Sequence, residues 1–387
     1  MIAKIPKTVW LLGFISLFMD FSSELIHSLV PLFLVNVLGA NMLEVGIIEG
    51  VAGATALIVK IFSGAISDVV GKRKILLVIG YGLATLTKPL FPLAQHVETV
   101  FIARFLDRIG KGIRGAPRDA FIADVTSKKI LGASYGLRQS MDSIGAVLGP
   151  LTAVLLLFLW GDIRFALWFA FIPALICMYI IIFKIKEPEQ VVKKALPQKI
   201  FSFSVMRAFP ASFWLIVVIS SAFMLARFGE AFLILKAQEA GFEIEFTPLV
   251  IAVMSIAYVL SAYPAGILSD RLKRKYMLYM ALVLLILADL CLANADSYLP
   301  VFLGTLLWGF HMGFSQGILS AMVAETAPED KRGSAFGFFN LFSGISMLIA
   351  SIVAGWVWQN FGSAFTFYAS IGFAVLSLMF TSLVKRW

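Results

Sequence analysis

Twelve times along the chain, a predominantly apolar stretch of about twenty or more residues gives way to a short polar connector. A helix needs roughly 20 residues to cross a bilayer, so each stretch predicts a spanning helix. The stretches fall near 9–35, 43–67, 75–94, 98–121, 134–159, 164–185, 209–236, 246–268, 276–293, 298–323, 333–358 and 363–384, and are numbered here as spans 1 to 12. Span 1 follows Lys4 and Lys7 as the apolar part of a signal peptide would. It runs on for about 26 residues, carries Asp20 and Glu24 and lacks a small-x-small cleavage site, so it is read as a helix that stays.

The connectors alternate in charge. Those after spans 2, 4, 6, 8 and 10 hold Lys72, Arg73 and Lys74, then Lys128 and Lys129, then the Lys-rich 184–207 segment, RLKRK (271–275), and Lys331 with Arg332. Together with Lys4, Lys7, Lys385 and Arg386, about 21 of the 32 basic residues lie on one side. The opposite loops offer Arg164 and otherwise acids such as Glu98, Glu243 and Glu245. By the positive-inside rule, both termini are expected in the cytoplasm and the chain in the cytoplasmic (inner) membrane. The net charge of +9 then expresses topology, not nucleic-acid binding.

Composition agrees. Hydrophobic residues make up 60% of the chain and charged ones 14%, against about 25% charged in soluble domains, and 35 residues are Phe. A soluble domain could not present such a chain to water. Cys177 and Cys291 both lie in apolar spans and are read as reduced thiols, with no disulfide or metal-ligand spacing.

The longest connector, 186–208, is polar and basic with two prolines, and reads as a cytoplasmic linker between six-helix bundles at 1–185 and 209–387. The two halves repeat. GAISDVVGKRK (64–74) follows span 2, and GILSDRLKRK (266–275) follows span 8. ADVTSKKILGASYG (123–136) follows span 4 and AETAPEDKRGSAFG (324–337) follows span 10; Asp124, Gly132 and Gly136 match Glu325, Gly333 and Gly337 at a constant offset of 201. Duplicated units with a site between them near the midplane are a common transporter plan.

On these residues the chain resembles the major facilitator superfamily along essentially its whole length. The family's loop signature between helices 2 and 3 is met by Gly64, Asp68, Gly71, Lys72 and Arg73, with Val69 where a basic residue is usual. The second copy keeps Gly266, Asp270 and Arg271 but has Lys273 in place of the later Gly. The resemblance implies an all-α membrane fold of twelve helices in two pseudo-symmetric bundles, working as a secondary transporter by alternating access. It also implies that spans 1, 4, 7 and 10 line a central cavity, and that the loop signature latches the cytoplasmic side. Candidate gate residues are Gly64, Asp68, Gly71, Lys72, Arg73, Arg114, Arg118, Asp270 and Arg271. In span 5, GAVLGPLTA, with Gly145, Gly149 and Pro150, is similar to the signature of drug–proton antiporters, although Ala153 and Val154 replace the glycines that usually follow. Close helix packing through small residues four apart is the alternative reading.

Span 4 carries ARFLDRIGKGIRGAPRDAF (103–121), with Arg104, Arg108, Lys111, Arg114 and Arg118 beside Asp107 and Asp119. At 1.5 Å per residue the first three lie about 9, 15 and 20 Å below the outer edge, and they share one face. Each central Lys or Arg costs about 2.5–3.5 kcal/mol on insertion scales, so this stripe must face protein or water. Arg114 and Arg118 could instead snorkel to the cytoplasmic interface. Span 1 supplies Asp20, Glu24 and His27 at i, i+4, i+7, one helical face. By depth, Asp20 pairs with Lys111, Glu24 with Arg108 and His27 with Arg104; the alternative to function is a static ion-pair ladder. Asp20, Glu24, His27 and Asp107 are the candidate proton-coupling groups. Arg104, Arg108, Lys111, Arg227, Glu230, Trp308, His311 and Gln316 are the candidate substrate contacts. Arg138 and Asp142, four apart in span 5, read as a local pair, and Glu49, Lys60, Lys88 and Asp289 are further embedded charges.

The expected activity is proton-coupled movement of a small solute. A positive cavity suits an organic anion, a carboxylate-bearing metabolite or a chelator. Drug–proton antiport is the alternative. A transition-metal exporter using Asp20, Glu24 and His27 ranks below it, as does a membrane sensor or enzyme. No Walker loop, HExxH or Ser–His–Asp arrangement is present, so neither catalysis nor a cofactor is expected. The expected partners are a small-molecule substrate, protons and the lipid bilayer, with the chain a monomer.

Overall fold

The computed structural model describes residues 5–187, 206–207, 209–315, 317–328 and 331–383; the side chains of residues 65, 68–70 and 270 lie outside that description. Asp68, Asp270 and Gln316 therefore fall outside the account that follows.

Helices follow one another through short turns. α1 (Lys7–Leu32) runs into a turn of π-helix at Phe33–Val37. α2 (Met42–Val70), α3 (Arg73–Thr87), the single turn α4 (Leu90–Leu93) and α5 (Val97–Val125) come next. The first half closes with α6 (Leu131–Trp160), α7 (Ile163–Phe169) and α8 (Phe171–Lys184). The second half comprises α9 (Ala211–Leu225), α10 (Ala231–Glu239), α11 (Leu249–Arg271), α12 (Arg274–Ala293), α13 (Tyr298–Ser315), α14 (Ile318–Thr326), α15 (Arg332–Phe361) and α16 (Ser363–Ser382). Gly71 makes the turn from α2 to α3 with φ +67°, a left-handed conformation that favours glycine. Asp162 caps α7 by accepting from the Arg164 backbone N–H at 2.8 Å.

Among the described residues, nine helical stretches are long and apolar enough to cross a membrane. The other three expected spans differ for physical reasons. α5 carries too many charges to qualify by hydropathy. Spans 7 and 10 are not continuous α-helices: the first is interrupted at residues 226–230 between α9 and α10, and the second around Gly317, at φ +77°, between α13 and α14. Both breaks fall on polar or glycine positions, Arg227, Gly229 and Glu230 in the first and Ser315 to Gly317 in the second, inside runs that are otherwise apolar.

The chain forms two compact units, Met1–Gly39 with Thr55–Pro197, and Ala40–Ala54 with Gln198–Trp387. The core of the first is built from Val9, Leu12, Ile15 and Met19 of α1, Leu77, Tyr81 and Ala84 of α3, Phe121 and Ile122 of α5, and Ala174, Cys177 and Ile181 of α8. In the second, Phe228, Phe232, Trp308, Trp358 and Phe367 form a buried chain of ring contacts around the break in span 7. Large apolar side chains such as Leu86, Phe183 and Leu299 point outward, as a surface meeting lipid tails requires.

Candidate functional site

In the first unit, α5 lies against α3 and places its charges inside the protein. Arg104, Asp107 and Arg108 are buried, as is Lys88 at the end of α3. Lys88 Nζ donates to Asp107 Oδ1 at 2.9 Å and to Ser23 Oγ of α1 at 3.2 Å. Arg108 Nε lies 3.6 Å from Asp107 Oδ2, so one carboxylate serves two cations. Arg104 Nη2 meets His27 Nδ1 at 2.8 Å, the pairing expected from depth. Glu24, half-buried on the same helix, is also engaged in a polar or electrostatic contact. Lys88, Arg104 and Arg108 thus bring three buried basic side chains together around the single buried carboxylate of Asp107, with Lys111 half-buried on the same helix.

Asp20 departs from the expected ladder. It neighbours Asp142 of α6 closely enough for the two carboxyl groups to interact, and it does not pair with Lys111. Lys111 makes no ion pair among the described residues. The reason lies in packing: α1 lies along α6 for most of its length, which turns Asp20 toward Asp142. Arg138 Nη1 reaches Asp142 Oδ2 at 3.2 Å, and Arg118 Nη1 lies 3.7 Å from Asp142 Oδ1 and 3.2 Å from Ser16 Oγ. Arg118 also donates to Asp119 at 3.3 Å. Three carboxyls and two guanidiniums thus share one cluster.

Snorkelling does not describe the inner arginines. Arg114 is 3% exposed, with its guanidinium 4.6 Å from the centre of the Tyr81 ring, and Arg118 is held by the cluster above. Among the other gate candidates, Arg73 bonds Ser67 and Asp124, the latter at 3.2 Å, while its backbone N–H donates to Glu187 at 2.6 Å. At the 201-residue offset this pair recurs as Arg274 with Glu325. Gly64 sits over Ala116 of α5, while Lys72 and Arg271 are exposed.

The span 5 glycines are a packing surface. A Cβ on Gly145 would fall 2.4 Å from the Leu17 carbonyl, and one on Gly149 would fall 2.7 Å from the Leu25 nitrogen. α6 can lie this close to α1 only without side chains there, and it continues through Pro150.

In the second unit, Arg227 lies in the break of span 7, 3.9 Å from Glu230. His311 and Trp308 of α13 are fully buried and in edge-on contact, and both imidazole nitrogens and the indole nitrogen lack hydrogen-bond partners. Sequence reading did not assign partners to Lys88 and passed over Ser23, Asp142 as a neighbour of Asp20, and the Tyr81 ring. A polar residue every few positions along α1 (Ser16, Asp20, Ser23, Glu24, His27) was the available signal. Among the described residues, no three His, Cys, Asp or Glu side chains gather as a metal site requires, so the transition-metal reading finds no support.

Paired helical units of this length, with charged side chains turned inward, define a polytopic membrane protein whose polar interior serves solute passage. The chain belongs to the major facilitator superfamily, whose family model matches residues 10–249 and 231–386. An MFS-type transporter of Methanocaldococcus jannaschii is 31% identical over 364 residues, covering 92% of this chain and 89% of that one. Multidrug resistance protein 1 of Bacillus subtilis is 26% identical over 334 residues, covering 83% and 82%. The crystal structure of a point mutant of the nucleoside transporter NupG superposes with a TM-score of 0.83 over 98% of this chain and 100% of that one, at 13% identity. The protein is therefore an integral membrane secondary transporter of this superfamily and not an enzyme.

Proposed function

We propose that the protein moves a small organic anion, such as a carboxylate-bearing metabolite or chelator, across the cytoplasmic membrane in exchange or company with protons. The observation that carries this reading is the concentration of buried basic side chains, Lys88, Arg104 and Arg108, inside the first unit. Arginine presents a planar fork matched to carboxylate or phosphate, and buried basic side chains favour an anionic guest. Asp107 acts here as the shared counter-ion of Lys88 and Arg108 rather than as the proton carrier.

Proton coupling falls to Asp20 and Asp142. Their cluster holds three carboxyls (Asp119 included) against Arg118 and Arg138, so one proton balances the charge. Like charges a few ångströms apart inside a membrane repel strongly, which favours a shared proton. Alternating access then exchanges the exposure of this cluster between the two sides. The gate residues around Arg73 would hold the cytoplasmic side shut, and Arg227 and Glu230 are the candidate solute contacts of the second unit.

Two experiments test the reading. In proteoliposomes, an imposed pH difference is expected to drive uptake by the wild type, and Asp20→Asn or Asp142→Asn to abolish that drive while leaving solute exchange. Transport indifferent to the gradient removes the proton claim. A thermal-shift screen of purified protein against organic anions and cationic drugs is expected to register anions, because a bound ligand raises apparent stability by mass action. Arg108→Ala should lose that shift. Drug–proton antiport is the second reading, favoured by the Bacillus subtilis relative, and stabilisation by cationic drugs alone would select it.

A further inference from the structure

Asp289 of α12 stands apart from every residue discussed so far. It is completely buried, no ion pair reaches it among the described residues, and its Oδ1 has no hydrogen-bond partner. Its Oδ2 lies within hydrogen-bond distance of Ser370 Oγ on α16, and that same Oγ is 2.6 Å from the carbonyl oxygen of Ala226. The Ala226 carbonyl can only accept. The single hydrogen of the Ser370 hydroxyl therefore belongs to Ala226, and the contact between Ser370 and Asp289 needs its hydrogen from the carboxyl side.

The internal repeat sharpens the point. At the 201-residue offset, Asp289 takes the place of Lys88 in the first half. Lys88 has Asp107 as counter-ion and touches Ser23. The residue equivalent to Asp107 is Trp308, so Asp289 has inherited the buried position without a partner of opposite charge. The helices packed against α12 do not supply one. α16 offers Ser370 and Tyr368, and α13 offers His311, whose ring lies among Trp308 and Phe223. α11 carries Tyr258, Tyr263 and the exposed Arg271, and α14 carries Glu325, paired with Arg274. A bare carboxylate in such a place costs several kcal/mol, whereas a carboxylic acid with one hydrogen bond does not.

We infer that Asp289 is a second proton-binding site, holding its proton in this conformation and latching the break in span 7 through Ser370. In the protonated state, Asp289 donates to Ser370 and Ser370 donates to Ala226, the first residue of the non-helical segment that carries Arg227. When the proton leaves, the carboxylate becomes the stronger acceptor and draws the Ser370 hydroxyl to itself. The Ala226 carbonyl then loses its donor, and residues 226–230, which carry Arg227, are free to rearrange. The Asp289 O–H bond breaks, its electron pair stays on the carboxylate and one proton passes to water; otherwise only hydrogen bonds change. The site itself stands on its own geometry, and only its place in a transport cycle rests on the proton coupling proposed above.

Infrared difference spectroscopy of the purified full-length protein tests the proton directly. At neutral pH the wild type is expected to show a protonated-carboxyl C=O band that is absent from Asp289→Asn and shifted in Ser370→Ala. A spectrum unchanged by Asp289→Asn overturns the assignment. Hydrogen exchange over 226–230 tests the latch. After correction for intrinsic rates, alkaline pH should speed exchange about fivefold in the wild type, the weight of one lost hydrogen bond. Asp289→Asn, permanently neutral and of the same shape, should stay slow at every pH, and Ser370→Ala should be fast already at neutral pH. Exchange that responds to sodium at fixed pH, or to pH equally in Asp289→Asn, overturns the proposal. Neither readout uses transport, so failure here is distinct from failure of the Asp20–Asp142 reading, which is scored by gradient-driven uptake.

Discussion

Replacing Lys88 by methionine keeps the length of the side chain and removes the charge that meets Asp107 at 2.9 Å. Breaking a buried pair by deleting one partner strands the other, at about 3–5 kcal/mol. Thermal unfolding in detergent is expected to record that loss for Lys88→Met, and Lys88→Met combined with Asp107→Leu is expected to regain most of it. A single mutant as stable as the wild type would show that water already screens the pair. At this scale the sequence was half legible. The stripe of Arg104 and Arg108 followed from helical periodicity and the cost of charge in lipid, and His27 met Arg104 as depth required. Lys88 could not be paired in advance because its partner lies on another helix, and registry between helices is set by packing that one-dimensional patterns do not carry. Asp20 went to Asp142 for the same reason.

Helices as units were legible wherever apolarity and length coincide, and less so where a few polar or glycine residues inside a run break it. In 209–236, Arg227, Gly229 and Glu230 interrupt the apolar run at 226–230. An embedded charged pair reads equally well as part of a continuous helix, so the pattern does not distinguish a break from a polar face. The glycines of α6 were visible as a motif, but only the structure shows which neighbour they admit. Gly145→Ala drives a methyl into the Leu17 carbonyl of α1 and is expected to cost about 1–3 kcal/mol, read as a lowered unfolding temperature. Gly132→Ala and Gly136→Ala serve as controls, since a Cβ at either meets open space. Equal effects at all three sites would mean that backbone freedom, rather than the α1–α6 approach, sets the need for glycine.

At the scale of the whole molecule, the duplication read from loop sequences reappears as chemistry, with Arg73–Asp124 repeated by Arg274–Glu325. Orientation rests on charge counting, and its one apparent exception has an explanation. Arg164, the basic residue of the outer loops, donates from Nη1 to the carbonyls of Pro92 and Ala94 at 2.6 and 2.7 Å and lies over the Phe33 ring, so it fastens loops together. A green fluorescent protein fused after Trp387 is expected to fluoresce, and alkaline phosphatase fused there to stay inactive. The reverse pattern would invert the topology.

The burden of charge on α5 also bears on how the chain is made. A segment with Arg104, Asp107, Arg108 and Lys111 near its centre does not partition into lipid on its own, since each such residue adds about 2.5–3.5 kcal/mol. Its neighbour α3 emerges from the ribosome first, carrying in Lys88 the ammonium that Asp107 needs. α5 therefore has to wait at the translocon until α3 is beside it, and to enter the bilayer as the second arm of a hairpin. Insertion of the first half is thus ordered by the ion pair between Lys88 and Asp107.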